Sequence, residues 1–534
     1  MRAALQEAVG LLDALARRIV AREFRCTLRG RVRTAARHCP ALLAAVAAEA
    51  RRTGLPEESL LALNLATDLP GVPDGCTNIL AVGSATLDGG GFLHKNRDHL
   101  RAFLGDWRIE APAGAHRFLA SSAVGDHTVA LGLNAAGIAV ATNSVLSPES
   151  HRYGLGHRVL ARKVLEEASA LEEIVPLLES LPRAGGFNLL CLDGAARGLV
   201  VEATARRLWS EVVEDGVRVR TNHFQVLQGA YDEEGGRHLF VQSSRPRLAQ
   251  ARAGLEGREG KVDLALLRRL ARTHSAEEAA LVYGGSICNH GAVWSTLTSG
   301  TVAVPRQGGA PLAFLWAGVG SPCATPYFPL SPHLTHLPAA FGDGTLFALA
   351  ERVEAGLPPP AREDALARIQ ARLDKAGEEA LLAARAIAAP GRSEEAHGTL
   401  ATSLQPALEE GVLSLALLAA HGEAAAGDGL TARLPEAIRV APGQEVVLRF
   451  QILNGLAETV TVTAEAEGLP MAAQQPFPTH VRVRPGRVGS GLLTLTAGPP
   501  RREVTVVLRR ADGERSVLHR QAVRILPYQA EKSD

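Results

Sequence analysis

Asp74-Gly75-Cys76-Thr77-Asn78 puts a cysteine directly after a glycine, at the head of an apparent strand. The next apparent strand closes on Lys95-Asn96-Arg97-Asp98. A thiol so placed can do one job that an interior cysteine cannot. If the Gly75–Cys76 bond is cut, Cys76 carries both a thiol nucleophile and a free α-amine that can serve as its base. An α-amine titrates near ~8, close enough to neutrality to accept a thiol proton. Along a strand, positions 95 and 97 share one face while 96 and 98 share the other. Lys95 and Asp98 therefore both aim at Cys76 only if a bend or bulge intervenes. A tetrahedral intermediate also needs donors where negative charge develops, and an Asn side-chain amide can serve. Asn143 and Asn222, each at the end of an apparent strand, are the candidates.

The elements around these residues follow from periodicity and breakers. Leu5 to Arg22 and Ala41 to Arg52 repeat apolar residues at helical spacing, and Pro56-Glu57-Glu58 reads as a helix start. Leu69-Pro70-Gly71-Val72-Pro73-Asp74-Gly75 reads as an exposed loop, as a scissile bond requires. Gly75 suits the reaction because a residue without Cβ tolerates a strained backbone. Strands are expected at 76–83, 91–98, 128–133 and 137–143, with a turn at Asn134 to Gly137. Helices at 156–168 and 171–181 precede strands at 188–192, 198–203 and 217–224. Helices at 246–255 and 262–273 follow, then strands at 300–304 and 312–319. Beyond these, Ala/Leu/Glu/Arg-rich helices occupy 341–355, 362–389 and 404–421, with Pro358-Pro359-Pro360 as a linker-like break. From Leu430 onward β-branched runs between Gly, Pro and Asn turns read as a small β-sandwich.

Gly75-Cys76-Thr77, Thr86-x-Asp88-Gly89-Gly90 and Lys95-Asn96-Arg97-Asp98 together resemble the self-processing acyltransferases and amidohydrolases typified by the fungal penicillin acyltransferase, peptidase family C45. The chain is similar, more distantly, to bile-salt and penicillin V hydrolases and to a group of cysteine dipeptidases. Blocks at 185–189, 198–202, 221–224, 244–248 and 286–290 fall in the family's order, so the resemblance runs from about 25 to about 330. It implies an α+β N-terminal-nucleophile hydrolase with an αββα sandwich, in which Cys76 attacks its own preceding carbonyl and is released as a new N-terminus. By the family's pattern Asp98 orients the α-amine or the substrate amide, and Lys95 stands where bile-salt hydrolases carry Arg. That keeps the charge and loses the bidentate fork. Asn222 matches the family's Thr-Asn block and Asn143 a second asparagine. Arg247 or Arg245 matches an arginine at the start of a helix, with Arg247 favoured. Glu202, His223 and His290 also lie in family blocks.

Length, charge and cysteine usage set the outer bounds. A chain of 534 residues calls for two or three domains. The blocks divide it into a helical pro-segment at 1–75, a catalytic unit at 76–334, a helical region at 335–428 and a sandwich-like region at 429–534. The formal net charge of +1 without a basic stripe argues against nucleic acid as a partner. No signal peptide and no membrane-spanning run is read, so a reducing cytoplasmic location is expected. The other cysteines, Cys26, Cys39, Cys191, Cys288 and Cys323, read as small buried hydrophobes. Their spacing suggests neither a disulfide framework nor a zinc site, and no cofactor or metal is expected. The substrate expected is a small-molecule or peptide amide. An α/β heterodimer would follow self-cleavage, and a homo-oligomer stays open. Two rivals stand beside the hydrolase: an acyltransferase, which differs only in what attacks the thioester, and a catalytically inactive binding protein of the same fold.

Overall fold

The computed structural model describes residues 21–66, 74–227, 239–275, 284–290, 294–306, 312–387 and 392–434, less 427–429, and then 437–440, 446–454, 460–466, 480–483, 488–495, 503–510 and 517–527. Most of the helix expected from Leu5 to Arg22, up to residue 20, lies outside the described residues, as does the loop at 67–73.

Three helices open the described chain: α1 (Ala21–His38), α2 (Pro40–Thr53) and α3 (Glu57–Leu65). Pro40 starts α2, where the missing N–H costs nothing, and Gly54 closes it at φ 69. Then come β1 (Gly75–Val82), β2 (Gly91–Leu100), β3 (Gly105–Glu110), β4 (Phe118–Ala123), β5 (Leu131–Asn134) and β6 (Ala139–Val145). Helices α4 (His157–Glu167) and α5 (Ile174–Ser180) lead to β7 (Gly186–Leu192), β8 (Gly198–Ala203), β9 (Leu208–Val213) and β10 (Gly216–Arg220). Helices α6 (Leu239–Leu255) and α7 (Leu264–Ala271) precede β11 (Trp294–Val304), β12 (Phe314–Val319) and β13 (Phe328–Leu330).

These strands form two antiparallel sheets, one ordered β10-β1-β2-β11-β12-β13 and one running β3 to β9 in sequence. β1 and β2 pack on β6 and β7 across the interior. α4 covers β5, β6 and β7 from outside, while α6 lies on β1 and β10 and α7 on β2 and β11. The layers are α, β, β, α, as the resemblance implied. Both faces of β1 are buried, which is why its residues read as a near-continuous interior run.

Three differences from the sequence expectation have physical reasons. β3, β4, β9 and β13 were not expected; β3 in particular mixes charge with apolar residues and pairs its Arg108 with Asp106 and Glu110. α6 starts seven residues before Pro246 and carries that proline inside it. Pro359 does not break the chain but begins α9 (Pro359–Ile387), since a helix's first turn tolerates proline.

α9, together with α8 (Thr345–Gly356) and α10 (Ser393–Ala426), packs into the same hydrophobic core as the sheets. Leu366, Ile369, Leu373, Leu404 and Leu408 join Trp316, Phe328 and Leu330 there. Two further sheets, of three and five strands, lie between Leu430 and Pro527 and contact each other. No described helix is long and apolar enough to cross a membrane.

His94, on β2, has its Nδ1 2.8 Å from Thr301 Oγ1 and its Nε2 3.1 Å from Asn96 Oδ1, and burial pushes its pKa down to about 4. A base whose pKa falls on folding favours the native state while it is neutral. Its contribution is therefore complete above about 6.5 and is lost as pH falls towards about 4. The shift corresponds to about 3 kcal/mol. Urea midpoints measured at pH 7 and pH 4.5 are expected to fall sharply with acid, and less sharply for His94→Gln. Equal acid sensitivity in the two proteins would remove His94 as the cause.

Candidate active site

β1 and β2 pair in unbroken register, with Gly75 opposite Asp98, Cys76 opposite Arg97, Thr77 opposite Asn96 and Asn78 opposite Lys95. Directly opposed residues point to the same face. Cys76, Asn78, Lys95 and Arg97 thus face the second sheet. There Lys95 Nζ donates to Thr142 O at 2.6 Å and Arg97 Nη1 to Ser122 O at 3.1 Å. Thr77, Asn96 and Asp98 face the helices, where Asn96 Nδ2 donates to Ala271 O at 3.0 Å. The bulge expected in β2 is absent. The register shift lies in β11 instead, between Thr296 and Thr298, and it brings Thr296 Oγ1 within 2.8 Å of Asp98 Oδ1. Lys95 reaches the Cys76 thiol from one face, and Asp98 flanks Gly75 from the other.

The Gly75–Cys76 bond is clamped on both sides. Asn222 Oδ1 accepts the Cys76 N–H at 2.8 Å, and Asn222 Nδ2 donates to Asp74 O at 2.8 Å and Ser144 O at 3.0 Å. Arg247 Nη2 donates to Asn222 Oδ1 at 2.8 Å, and its Nη1 donates to the Cys76 carbonyl. Arg247 is fully buried inside α6 rather than at its start, while Arg245 is exposed. In this intact chain Asn222 holds the Cys76 nitrogen. Asn143 lies one step away, hydrogen-bonded to Asn78 and donating Nδ2 to Arg220 O at 3.0 Å. His223 Nδ1 lies 2.8 Å from Ser244 Oγ, which accepts the Asn222 N–H at 2.7 Å, so His223 braces the clamp from behind. Glu202 binds Arg220 Nε at 2.9 Å and accepts the N–H groups of Gln225, Val226 and Leu227, which anchors the segment after β10.

Sequence reasoning missed Asp74. Its carboxylate is buried, with His99 Nε2 at 2.7 Å, Arg158 Nε at 3.4 Å and Arg97 Nε at 3.8 Å. Burial opposes its ionisation, but Arg158, His99 and Arg97 outweigh it and hold the carboxyl well below its ordinary range. An Asp before Gly in a Pro/Gly run reads as a turn former, and these partners come from β2 and α4. Ser144 Oγ donates to Asp74 O at 2.9 Å and was also missed.

The expectation of an exposed, strained Gly75 is corrected. Gly75 is buried within β1 and lacks a left-handed φ. A Cβ there would lie 2.7 Å from Trp294 Cε3 and 3.0 Å from Asp98 Cβ, so glycine is needed for close approach. Gly75→Ala should cost about 1–3 kcal/mol through overpacking and should disturb the clamp. Denaturant unfolding of a Cys76→Ala background with and without Gly75→Ala checks the cost; equal midpoints would show that Trp294 yields freely.

Burial pushes the Cys76 thiol up, opposed by Lys95, and pushes the Lys95 amine down, opposed by Cys76. The pair is suited to passing a proton between them. Burial also raises Asp98, against the pull of Arg247. Among the described residues, one group of His and Cys side chains is placed to hold a metal: His274, Cys288, His290 and Cys323.

Solved structures resemble parts of the chain weakly. A variant of conjugated bile acid hydrolase from Clostridium perfringens is 13% identical, covering 46% of this chain and 89% of its own at a TM-score of 0.29. The Caenorhabditis elegans orthologue of N-acylethanolamine-hydrolyzing acid amidase is 14% identical, covering 43% and 94% at 0.31. No curated protein matches the chain. The model of the family described as acyl-coenzyme A:6-aminopenicillanic acid acyl-transferase matches residues 87–274. That match contains Lys95, Asp98, Asn143, Asn222 and Arg247 and begins after Cys76. Over residues 87–274, then, the chain carries the pattern of the acyl-coenzyme A:6-aminopenicillanic acid acyl-transferase family, as its motifs implied.

Proposed function

We propose that this protein is an autoproteolytically activated N-terminal-cysteine amidohydrolase, cleaving a linear amide (an N-acyl amine or a small peptide) through a thioester. The clamp of Asn222 and Arg247 on the peptide groups around Gly75–Cys76 carries this reading. In the first step the Cys76 thiol gives its proton to Lys95, and the sulfur bonds to the Gly75 carbonyl carbon. The bond from that carbon to the Cys76 nitrogen breaks, and the nitrogen takes up the proton. Water then hydrolyses the thioester, which leaves Gly75 as a carboxylate and Cys76 with a free α-amine. The same thiol can next attack a substrate acyl carbonyl, with the α-amine as its base.

The cut fragment is expected to stay bound as an α/β heterodimer. Leu28, Leu42, Val46, Leu60 and Leu63 of α1 to α3 lie in the main core, and Asn64 donates its Nδ2 to Gly125 O at 3.1 Å and accepts the His127 N–H at 2.6 Å. A reducing, cytoplasmic setting would keep Cys76 a thiol. The family match favours a second reading, in which an amine replaces water in resolving the thioester. The test is incubation of the purified protein with N-acyl amines, with and without an excess of a second amine. Free acid in both mixtures supports the hydrolase, and a new amide supports the acyltransferase. A protein that produces neither and is never cut is a binding protein of this fold.

A further inference from the structure

The fold gathers four metal-ligating side chains at a second place, outside the reaction described above. Cys288 and His290 lie in the 284–290 segment before β11, His274 follows α7, and Cys323 follows β12. Their ligand atoms all lie within 4.8 Å of one another. His290 Nε2 is 3.3 Å from Cys288 Sγ and 3.4 Å from Cys323 Sγ. A zinc tetrahedron with bonds of about 2.0–2.3 Å has edges of about 3.3–3.8 Å, so the two separations from His290 already match it. The other nitrogen of His290, Nδ1, lies 3.0 Å from Glu354 Oε1, and Glu354 Oε2 accepts from Ser321 Oγ at 3.0 Å. A carboxylate behind a ligating histidine fixes its tautomer and makes it a better ligand. Cys288 and Cys323 are buried and in no disulfide, while His274 is exposed and leaves a route for an ion to enter.

We propose that His274, Cys288, His290 and Cys323 form a structural zinc site. Two thiolates and two imidazoles in a closed tetrahedral set suit zinc, and four protein ligands leave no position open for chemistry at the metal. The site pins the 284–290 segment to the turn after β12 and, through Glu354, to α8. Its mechanical consequence reaches Asp98. Asn289, between the two ligands Cys288 and His290, donates its N–H to Thr296 Oγ1 at 2.9 Å, and Thr296 Oγ1 donates to Asp98 Oδ1 at 2.8 Å. Zinc would thus hold the register of the residues that fix Asp98 beside Gly75. Reading ligand spacing along the chain does not find the site, because Cys323 comes from beyond β11 and β12.

The test is elemental analysis of the full-length purified protein, reduced, reconstituted with zinc and then desalted. One tightly held zinc per chain is expected. Cobalt(II) in its place should give the intense visible absorption of a tetrahedral site and a thiolate-to-cobalt charge-transfer band. Glu354→Gln keeps all four ligands and is expected to weaken zinc affinity by about 10–100-fold. A chelator should lower the melting temperature of the wild type and leave that of the Cys288→Ser/Cys323→Ser variant unmoved. Absence of stoichiometric zinc after reconstitution, zinc retained by the double serine variant, or a Cys288–Cys323 disulfide that survives reductant treatment would each overturn the proposal. None of these readouts depends on self-cleavage or turnover.

Discussion

Cys76→Ala is expected to remain a single chain of 534 residues and to show no amide turnover. In the proposed mechanism both losses have one cause, since the same sulfur opens its own chain and later carries the acyl group. Alanine removes the sulfur and keeps the extended backbone opposite Arg97, so folding should be preserved. Lys95, Asn222 and Arg247 would still be in place, and their presence without a nucleophile isolates the thiol's share. Cys76→Ser is the finer probe. A hydroxyl is the weaker nucleophile near neutral pH, where a thiol already supplies a small thiolate fraction. Slow cutting with little turnover is expected of serine. Undiminished turnover by Cys76→Ser, measured on cut protein, would take the thiol out of the mechanism.

Asn222→Ala should produce the second large effect. The wild-type side chain accepts from the Cys76 nitrogen and donates to Asp74 O, so its loss unties both sides of the Gly75–Cys76 peptide. Self-cleavage is therefore expected to slow first. In the proposed mechanism, departure of Asp74 and Gly75 from the site would release Asn222 Nδ2 to donate to a substrate oxyanion. Loss of one such donor costs about 10²–10³ in rate, roughly 3–4 kcal/mol. The fall should appear in kcat with KM little changed, because the interaction strengthens only in the transition state. Asn143→Ala is expected to fall less, because Asn143 spends its amide on Asn78 and Arg220 O. The comparison needs protein already cut at Cys76. A fully cut Asn222→Ala enzyme with near wild-type kcat would reduce Asn222 to a packing role.

Much of this was legible in the chain because it rests on local rules. The alternation that put Lys95 and Asp98 on opposite faces holds, and Asn134 to Gly137 makes its turn, with Gly137 at φ 91. The αββα layers followed from the family resemblance that the ordered motifs carry. What stayed hidden depends on long-range convergence. Asp74 reads as a turn former until Arg97, His99 and Arg158 surround it. Arg245 and Arg247 differ only in which side of α6 faces β1, and Arg247 alone reaches Cys76. The bulge sits in β11, a partner strand that β2's own residues do not reveal. The helices after 345 carry apolar stripes that must bury somewhere, and the surface they bury against is long-range: Leu366, Ile369 and Leu373 complete the core against Trp316 and Phe328. An amphipathic stripe shows that a helix must pack, not what it packs against.

The intact masses of the purified protein's chains, with N-terminal sequencing of the larger one, decide whether the proposed self-cleavage takes place. Self-cleavage yields two chains that stay together under native conditions, the larger beginning at Cys76. A single uncut chain that nonetheless hydrolyses amides would contradict it.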